Sequence, residues 1–216
     1  MNHPFSCVIF DLDGTLLETL QDLTDCTNWA LARQGWPTHT VAQVRGFVGN
    51  GLYKLIERAV PAGTPPALVD QAFAQFKPYY VAHCMDASRP YDGIIAMLTQ
   101  LHSRGIATAL VTNKAQTATD LLYERFFKDV ITVAVGQQPG LALKPARDEV
   151  DKALALLKAD PENAIYVGDS EVDKQTADNA GLPCALCAWG FRGRPFIDEL
   201  KPLAILDRPS DVMRLV

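Results

Sequence analysis

Apolar positions change their period twice along this chain. Val8, Ile9 and Phe10 form an unbroken run behind Ser6-Cys7, which reads as a short strand buried on both faces. From residue 17 to 34, Leu17, Leu20, Leu23, Cys26, Thr27, Ala30 and Leu31 recur at three- and four-residue spacing, a helical stripe closed by Gly35 and Pro37. Helical spacing continues over residues 40–60 and 66–86, interrupted at Gly46, at Gly49-Asn50-Gly51 and at Pro61-Ala62-Gly63-Thr64-Pro65-Pro66. From about residue 90 the pattern alternates. A helix over Asp92–Arg104 ends at Gly105, and Ile106–Val111 reads as a buried strand. A helix over Ala115–Arg125, a strand over Val130–Val135 and a helix over 146–158 follow. Then come a strand over Ala164–Val167, a helix closing at Gly181, a strand near 184–188, a strand over Leu203–Leu206, and a terminal helix opened by Pro209-Ser210-Asp211.

Strands alternating with helices of this length predict βαβ units. The expected fold is therefore α/β: a doubly wound, Rossmann-like, mainly parallel sheet with an inserted α-helical cap domain. The core would comprise residues 1–16 and 88–216, and the cap residues 17–87. Ligands of such sheets bind beyond the carboxyl ends of the strands, so polar residues following each strand should converge there.

Composition narrows the classes of function. With 216 residues, 48% hydrophobic and 21% charged, the chain can bury a real core. A net charge of -5 argues against nucleic acid as a partner, because phosphate backbones select basic faces. No apolar run reaches the roughly 20 residues that span a bilayer. The first residues, Met1-Asn2-His3-Pro4-Phe5, lack the basic-then-apolar pattern of a secretory leader. A cytoplasmic protein without a membrane partner is expected, as a monomer or homodimer. The five cysteines have no framework spacing. Cys184-Ala185-Leu186-Cys187 spells C-x-x-C, yet it lies in an apolar strand and lacks a second pair or a nearby histidine, so buried free thiols are expected.

The strand ends carry the candidate chemistry. Asp11 and Asp13 follow the first strand, and two like charges there repel unless a cation or substrate lies between them. A hard divalent cation such as Mg2+ suits carboxylate oxygens. Gly14 permits a sharp turn, and its amide with that of Thr15 could face an anion. Thr112-Asn113 offers a hydroxyl and an amide to phosphate oxygens, or else caps the next helix. Lys144, before Pro145 and the helix over 146–158, reads by itself as a solvated lysine. Asp169 and Asp173, four residues apart after a buried strand, read by themselves as an acidic helix start.

Together, Asp11-x-Asp13-Gly14-Thr15, a strand-end Thr112, a loop Lys144-Pro145 and Gly168-Asp169-x-x-x-Asp173 resemble the haloacid dehalogenase-like hydrolase superfamily, over essentially the whole chain. The resemblance implies a phosphoric monoester hydrolase that uses Mg2+. Asp11 would be the nucleophile that forms an aspartyl-phosphate, and Asp13 the general acid and then base. Thr112 and Asn113 would orient the phosphoryl group, with Lys144 offsetting charge. Asp11, Asp13, Asp169 and Asp173 would hold the metal, Asp173 directly or through water. Halide leaves without a proton, so a carboxylic acid at Asp13 favours phosphoryl transfer over dehalogenation.

The cap stretch Val48-Gly49-Asn50-Gly51 with Glu57-Arg58-Ala59, and Val111-Thr112-Asn113-Lys114 in the core, resemble phosphoglycolate phosphatases. This implies a small phosphorylated metabolite, 2-phosphoglycolate, whose carboxylate would be read by Arg45, Lys54 or the amides of Gly49, Asn50 and Gly51. Within the same superfamily the alternatives are a sugar-phosphate phosphatase, a β-phosphoglucomutase or a pyrophosphatase; outside catalysis, a phosphate-binding module. Where the superfamily often shows further prolines after Lys144-Pro145, Ala146-Arg147-Asp148 stands here. Arg192 and Arg194, in a loop resembling the family's aromatic-Gly-aromatic segment, could approach a phosphate or be solvated, and solvation is the preferred expectation.

Overall fold

Interior strands must hide both faces, and Val8 and Ile9 have no exposed surface at all. The computed structural model describes residues 5–216; Met1–Pro4, read above for a leader, lie outside the described residues. Cys7–Phe10 (β1) is followed by the two-residue strand Leu17–Glu18 (β2). Four helices come next: Leu20–Arg33 (α1), Val41–Phe47 (α2), Leu52–Ala59 (α3) and Pro66–His83 (α4). Arg89–Pro90 (β3) pairs with β2 in a separate two-stranded ladder. The alternating part runs Ile94–Ser103 (α5), Ala107–Ala115 (β4), Gln116–Phe126 (α6), Val133–Gln137 (β5) and Asp148–Leu157 (α7). It continues through Ala164–Gly168 (β6), Glu171–Ala180 (α8), Cys184–Cys187 (β7), Arg194–Glu199 (α9) and Ala204–Leu206 (β8).

The six-stranded sheet has the order β5-β4-β1-β6-β7-β8 and is parallel throughout. β1 lies inside it, with Cys7 level with Ala107 of β4 on one side and Ala164 of β6 on the other. The strand order reverses beside β1, and that reversal places its carboxyl end at the crevice where doubly wound sheets bind ligands. The α/β reading holds, and all five cysteines are buried and free.

The chain divides into two compact units: the residues through Glu18 with Pro90–Val216, and Thr19–Arg89. The second is built from α1–α4 around Leu23, Leu31, Val44, Ile56, Phe76 and Tyr80. Within it the Asp22 carboxylate accepts hydrogen bonds from the Ala87 amide, the Ser88 amide and the Ser88 hydroxyl at 2.8, 2.8 and 2.6 Å, tying the first turn of α1 to the returning chain.

Several boundaries differ from the periodicity, β4 among them, which runs on to Ala115 rather than ending at Val111. Leu17 and Glu18 are extended in β2, so α1 begins at Leu20. β5 begins at Val133, because the Val130 and Ile131 amides close a turn onto the Phe127 carbonyl at 2.9 and 2.8 Å. The terminal helix is a 3-10 turn over Pro209–Arg214. α9, which the periodicity did not reveal, has proline in its first turn, where a missing amide hydrogen costs nothing.

Candidate active site

Asp11 stands directly beyond β1, its amide donating to the Val167 carbonyl at 2.9 Å, so the ladder holds its backbone in place. Its carboxylate meets the ammonium of Lys144 at 2.6 Å. Lys144 Nζ also lies 2.8 Å from Asp173 Oδ1 and 3.0 Å from the Tyr166 hydroxyl, which is itself 3.2 Å from Asp173 Oδ1. Lysine burial lowers its affinity for a proton, yet the charges of Asp11 and Asp173 outweigh this and raise the Lys144 pKa well above its usual value.

The Lys144 loop is itself held. The Asn113 amide grips the Lys144 backbone at both ends, donating to its carbonyl at 3.0 Å and accepting from its N–H at 2.7 Å. The Lys144–Pro145 peptide is cis. Asn113 therefore docks one strand-end loop against the other. Thr112 is buried, and its hydroxyl accepts the Lys114 amide at 3.3 Å. Both residues sit where the β4–β5 register shifts, between Thr112 and Ala115.

Asp169 and Asp173 open α8 with different surroundings. Asp173 Oδ2 caps the helix, accepting from the Asp169 amide, the Ser170 amide and the Ser170 hydroxyl at 3.1, 3.1 and 2.7 Å. Burial alone would raise its pKa, but Lys144 and these donors hold it below the usual carboxylate range. Asp169 accepts the Phe191 amide at 2.6 Å. Burial, with the charges of Asp173 and Asp11, raises its pKa well above normal. Burial likewise pushes Asp11 up to about 7, against the pull of Lys144 and with the repulsion of Asp173 and Asp13.

Asp11, Asp169 and Asp173 each present one oxygen within 4.8 Å of the others, all three residues buried. Four acids, counting Asp13, share this place with the ammoniums of Lys144 and Lys114. An all-oxygen donor set carrying excess negative charge suits a hard divalent cation such as Mg2+. The glycines fit the same purpose: Gly14 has φ +90°, and any Cβ there would overlap the Asp169 carboxylate. The side-chain oxygens of Asp173 are both engaged by protein donors, so Asp11 and Asp169 are the better candidates for direct contact.

Two expectations are corrected here. The Gly14 and Thr15 amides do not face outward: they donate to the carbonyls of Leu17 and Leu12 at 2.9 and 3.3 Å, because the tight turn satisfies itself. Arg192 is not solvated. It forks onto Glu171 through two 2.9 Å bonds with 19% of its side chain exposed. Arg194 is half-exposed and paired with Asp198 at 3.0 Å and with Asp207. In the helical unit, Arg45 is exposed and Lys54 pairs with Glu57 at 2.5 Å. Gly49, Asn50 and Gly51 have φ of 121°, 60° and 89°.

Several residues at the site escaped the sequence reading. Lys114 reads only as the end of the Val111-Thr112-Asn113-Lys114 segment and Tyr166 as a strand residue, and their partners alone distinguish them. Gly190 lies against Asp169, and a Cβ there would come within 2.6 Å of its Oδ2 and of the Gly14 carbonyl. An aromatic-Gly-aromatic segment after a strand was the signal available for it.

The family model for haloacid dehalogenase-like hydrolases matches residues 8–187, spanning all of these strand ends. The chain belongs to that family. A phosphoglycolate phosphatase from Cereibacter sphaeroides is 38% identical over 195 residues, covering 88% of each chain. One from Thiobacillus denitrificans is 32% identical over 219 residues, covering 99% of this chain and 96% of its own. A solved structure from Lactobacillus delbrueckii subsp. bulgaricus superposes on this haloacid dehalogenase-like hydrolase with a TM-score of 0.92 at 29% identity, covering 97% of each chain.

Proposed function

We propose that this hydrolase cleaves small phosphate monoesters through a phosphoryl-Asp11 intermediate, with 2-phosphoglycolate as substrate and glycolate and phosphate as products. The observation that carries the reading is the Asp11–Lys144 pair, 2.6 Å apart and buried, with Asp169 and Asp173 beside it at the carboxyl edge of the sheet. A binding module has no need of a buried carboxylate in that position together with a second one at Asp13. The relatives of 32–38% identity, named phosphoglycolate phosphatases, support the substrate.

An Asp11 oxygen attacks phosphorus as the bond to the alcohol oxygen breaks, and Asp13 delivers a proton to that oxygen. Asp13 then takes a proton from a water that attacks the phosphorus, and the bond to Asp11 breaks, restoring the carboxylate and freeing phosphate. Lys144 favours the ionised form of Asp11 against its burial and offsets charge on the transferring group. Thr112 places its hydroxyl toward the phosphoryl oxygens, and Asn113 holds the Lys144 loop. Asp11, Asp169 and the Asp13 main-chain carbonyl are assigned to Mg2+, with Asp173 supporting them through Ser170 and Lys144. When bound, Mg2+ neutralises charge on the transferring phosphoryl group.

The helical unit, α1–α4, is assigned the choice of substrate as a cap, with Arg45, Lys54 and the Gly49–Gly51 turn reading the carboxylate. The test is phosphate release from a panel of small esters, including 2-phosphoglycolate, with Mg2+ or with EDTA. Mg2+-dependent preference for 2-phosphoglycolate is expected. Broad turnover without that preference would remove the substrate, and isomerised sugar phosphate would point to a mutase. Binding without release would leave only a phosphate-binding module.

A further inference from the structure

Lys114 has no exposed side-chain surface, and its ammonium lies 2.9 Å from Asp13 Oδ1. Buried lysines are expensive and are kept where a partner holds them. The partner here is a carboxylate that is 19% exposed at the mouth of the site. The lysine backbone is fixed as well. Its amide donates to Thr112 Oγ1, and its carbonyl accepts the Thr119 hydroxyl, both at 3.3 Å. Any Cβ at Gly136 would come within 2.7 Å of that same carbonyl. The strand, its neighbour and the following helix thus fix the place from which the ammonium reaches across to the β1 loop.

We propose that Lys114 is a positioning residue for the reaction: it fixes the orientation in which Asp13 meets the departing alcohol and the attacking water. This rests on the acid-and-base reading of Asp13. Asp13 sits on a turn with 19% of its side chain exposed, and the buried Lys114 ammonium, 2.9 Å from Oδ1, holds that oxygen from a fixed place on β4. Proton transfer demands hydrogen-bond reach to the reacting oxygen, whereas substrate binding does not. Lys114 should therefore act on turnover and leave binding alone.

The experiment compares Lys114→Met, Lys114→Arg, Asp13→Asn and the Lys114→Met/Asp13→Asn double variant, each checked by circular dichroism, on an alkyl phosphate and on p-nitrophenyl phosphate. Lys114→Met should lower kcat for the alkyl ester by about 10²-fold with KM nearly unchanged. The loss should be smaller for p-nitrophenyl phosphate, whose leaving group needs little protonation. Lys114→Arg, which keeps the cation, should recover part of the rate and test the pair should Lys114→Met not fold. In the Asp13→Asn background, Lys114→Met should cost nothing further. An equal loss for both esters, full activity in Lys114→Met, or an additive loss in the double variant would overturn the role of Lys114 alone. Wild-type turnover in Asp13→Asn would overturn the reading of Asp13 and this inference with it.

Discussion

Gly190 leaves no room for a side chain beside Asp169: any Cβ there would collide with the aspartate and come within 2.6 Å of the Gly14 carbonyl. Gly190→Ala should push Asp169 out of line with Asp11. Overpacking of this kind costs about 1–3 kcal/mol. The expected outcome is a fall in kcat of at least tenfold and a weaker apparent affinity for Mg2+, read by titrating the metal against phosphate release. Unchanged metal dependence would show that the loop yields without moving Asp169.

Asp11→Asn should abolish turnover, by about 10⁴-fold or more, as loss of a nucleophile does elsewhere. The amide keeps the shape of the side chain, so circular dichroism should match the wild type. No phosphorylated protein should be trapped by rapid quench with 2-phosphoglycolate. Robust activity would exclude Asp11 as nucleophile.

Glu149 is fully buried in the first turn of α7, and neither carboxylate oxygen meets a hydrogen-bond partner. Burial pushes its pKa from 4.5 up to about 7, opposed by Lys144 and reinforced by Asp11 and Asp148. Because the folded state binds this proton more tightly, the contribution to stability is complete below pH 4.5 and is lost as pH rises to about 7. The loss is on the order of 3 kcal/mol. Glu149→Gln should flatten that slope, so its Tm relative to wild type should be higher at about pH 8 than at about pH 4. A constant Tm difference across the range would show that Glu149 titrates alike in the folded and unfolded chains.

In the helical unit, Arg58 donates to the Phe47 and Gly49 carbonyls at 2.8 and 3.3 Å and to Asn50 Oδ1 at 3.0 Å. It braces three successive residues with positive φ, a conformation costly for Asn50. Arg58→Ala should raise KM for 2-phosphoglycolate by about tenfold, the worth of one charged hydrogen bond, with a smaller change in kcat. Arg45→Ala and Lys54→Ala should raise KM as well. If all three leave KM unchanged, the carboxylate is read elsewhere.

The architecture was legible because each core strand is a short apolar run with polar punctuation at its carboxyl end. Asp11, Thr112, Lys144 and Asp169 announced themselves there. What escaped depends on pairing at a distance. Nothing local marks Lys114 as buried against Asp13, or Arg192 as bound to Glu171, since a lysine or arginine in isolation reads as solvated. Val130-Ile131-Thr132 carries the β-branched pattern of a strand, but the preceding turn claims the Val130 and Ile131 amides, and only the Thr132 amide reaches β4, at the Thr108 carbonyl. The Gly14 and Thr15 amides looked available for the same reason: their partners are the carbonyls of Leu17 and Leu12, which only the closed turn reveals.

β1 is the first strand among the described residues and an interior one, with partners that begin at Ala107 and Ala164. A ribosome adding about 5–20 residues per second emits this apolar strand many seconds before either neighbour exists. The nascent chain must keep both of its edges from pairing with another chain, and the helical segment emerges first. A chain stopped before β6 would leave Val8 and Ile9 with one edge open, the kind of surface chaperones recognise. Burying the Asp11 strand at the centre thus makes the edge that gathers Asp11, Lys144 and Asp169 among the last parts of the molecule to be assembled during synthesis.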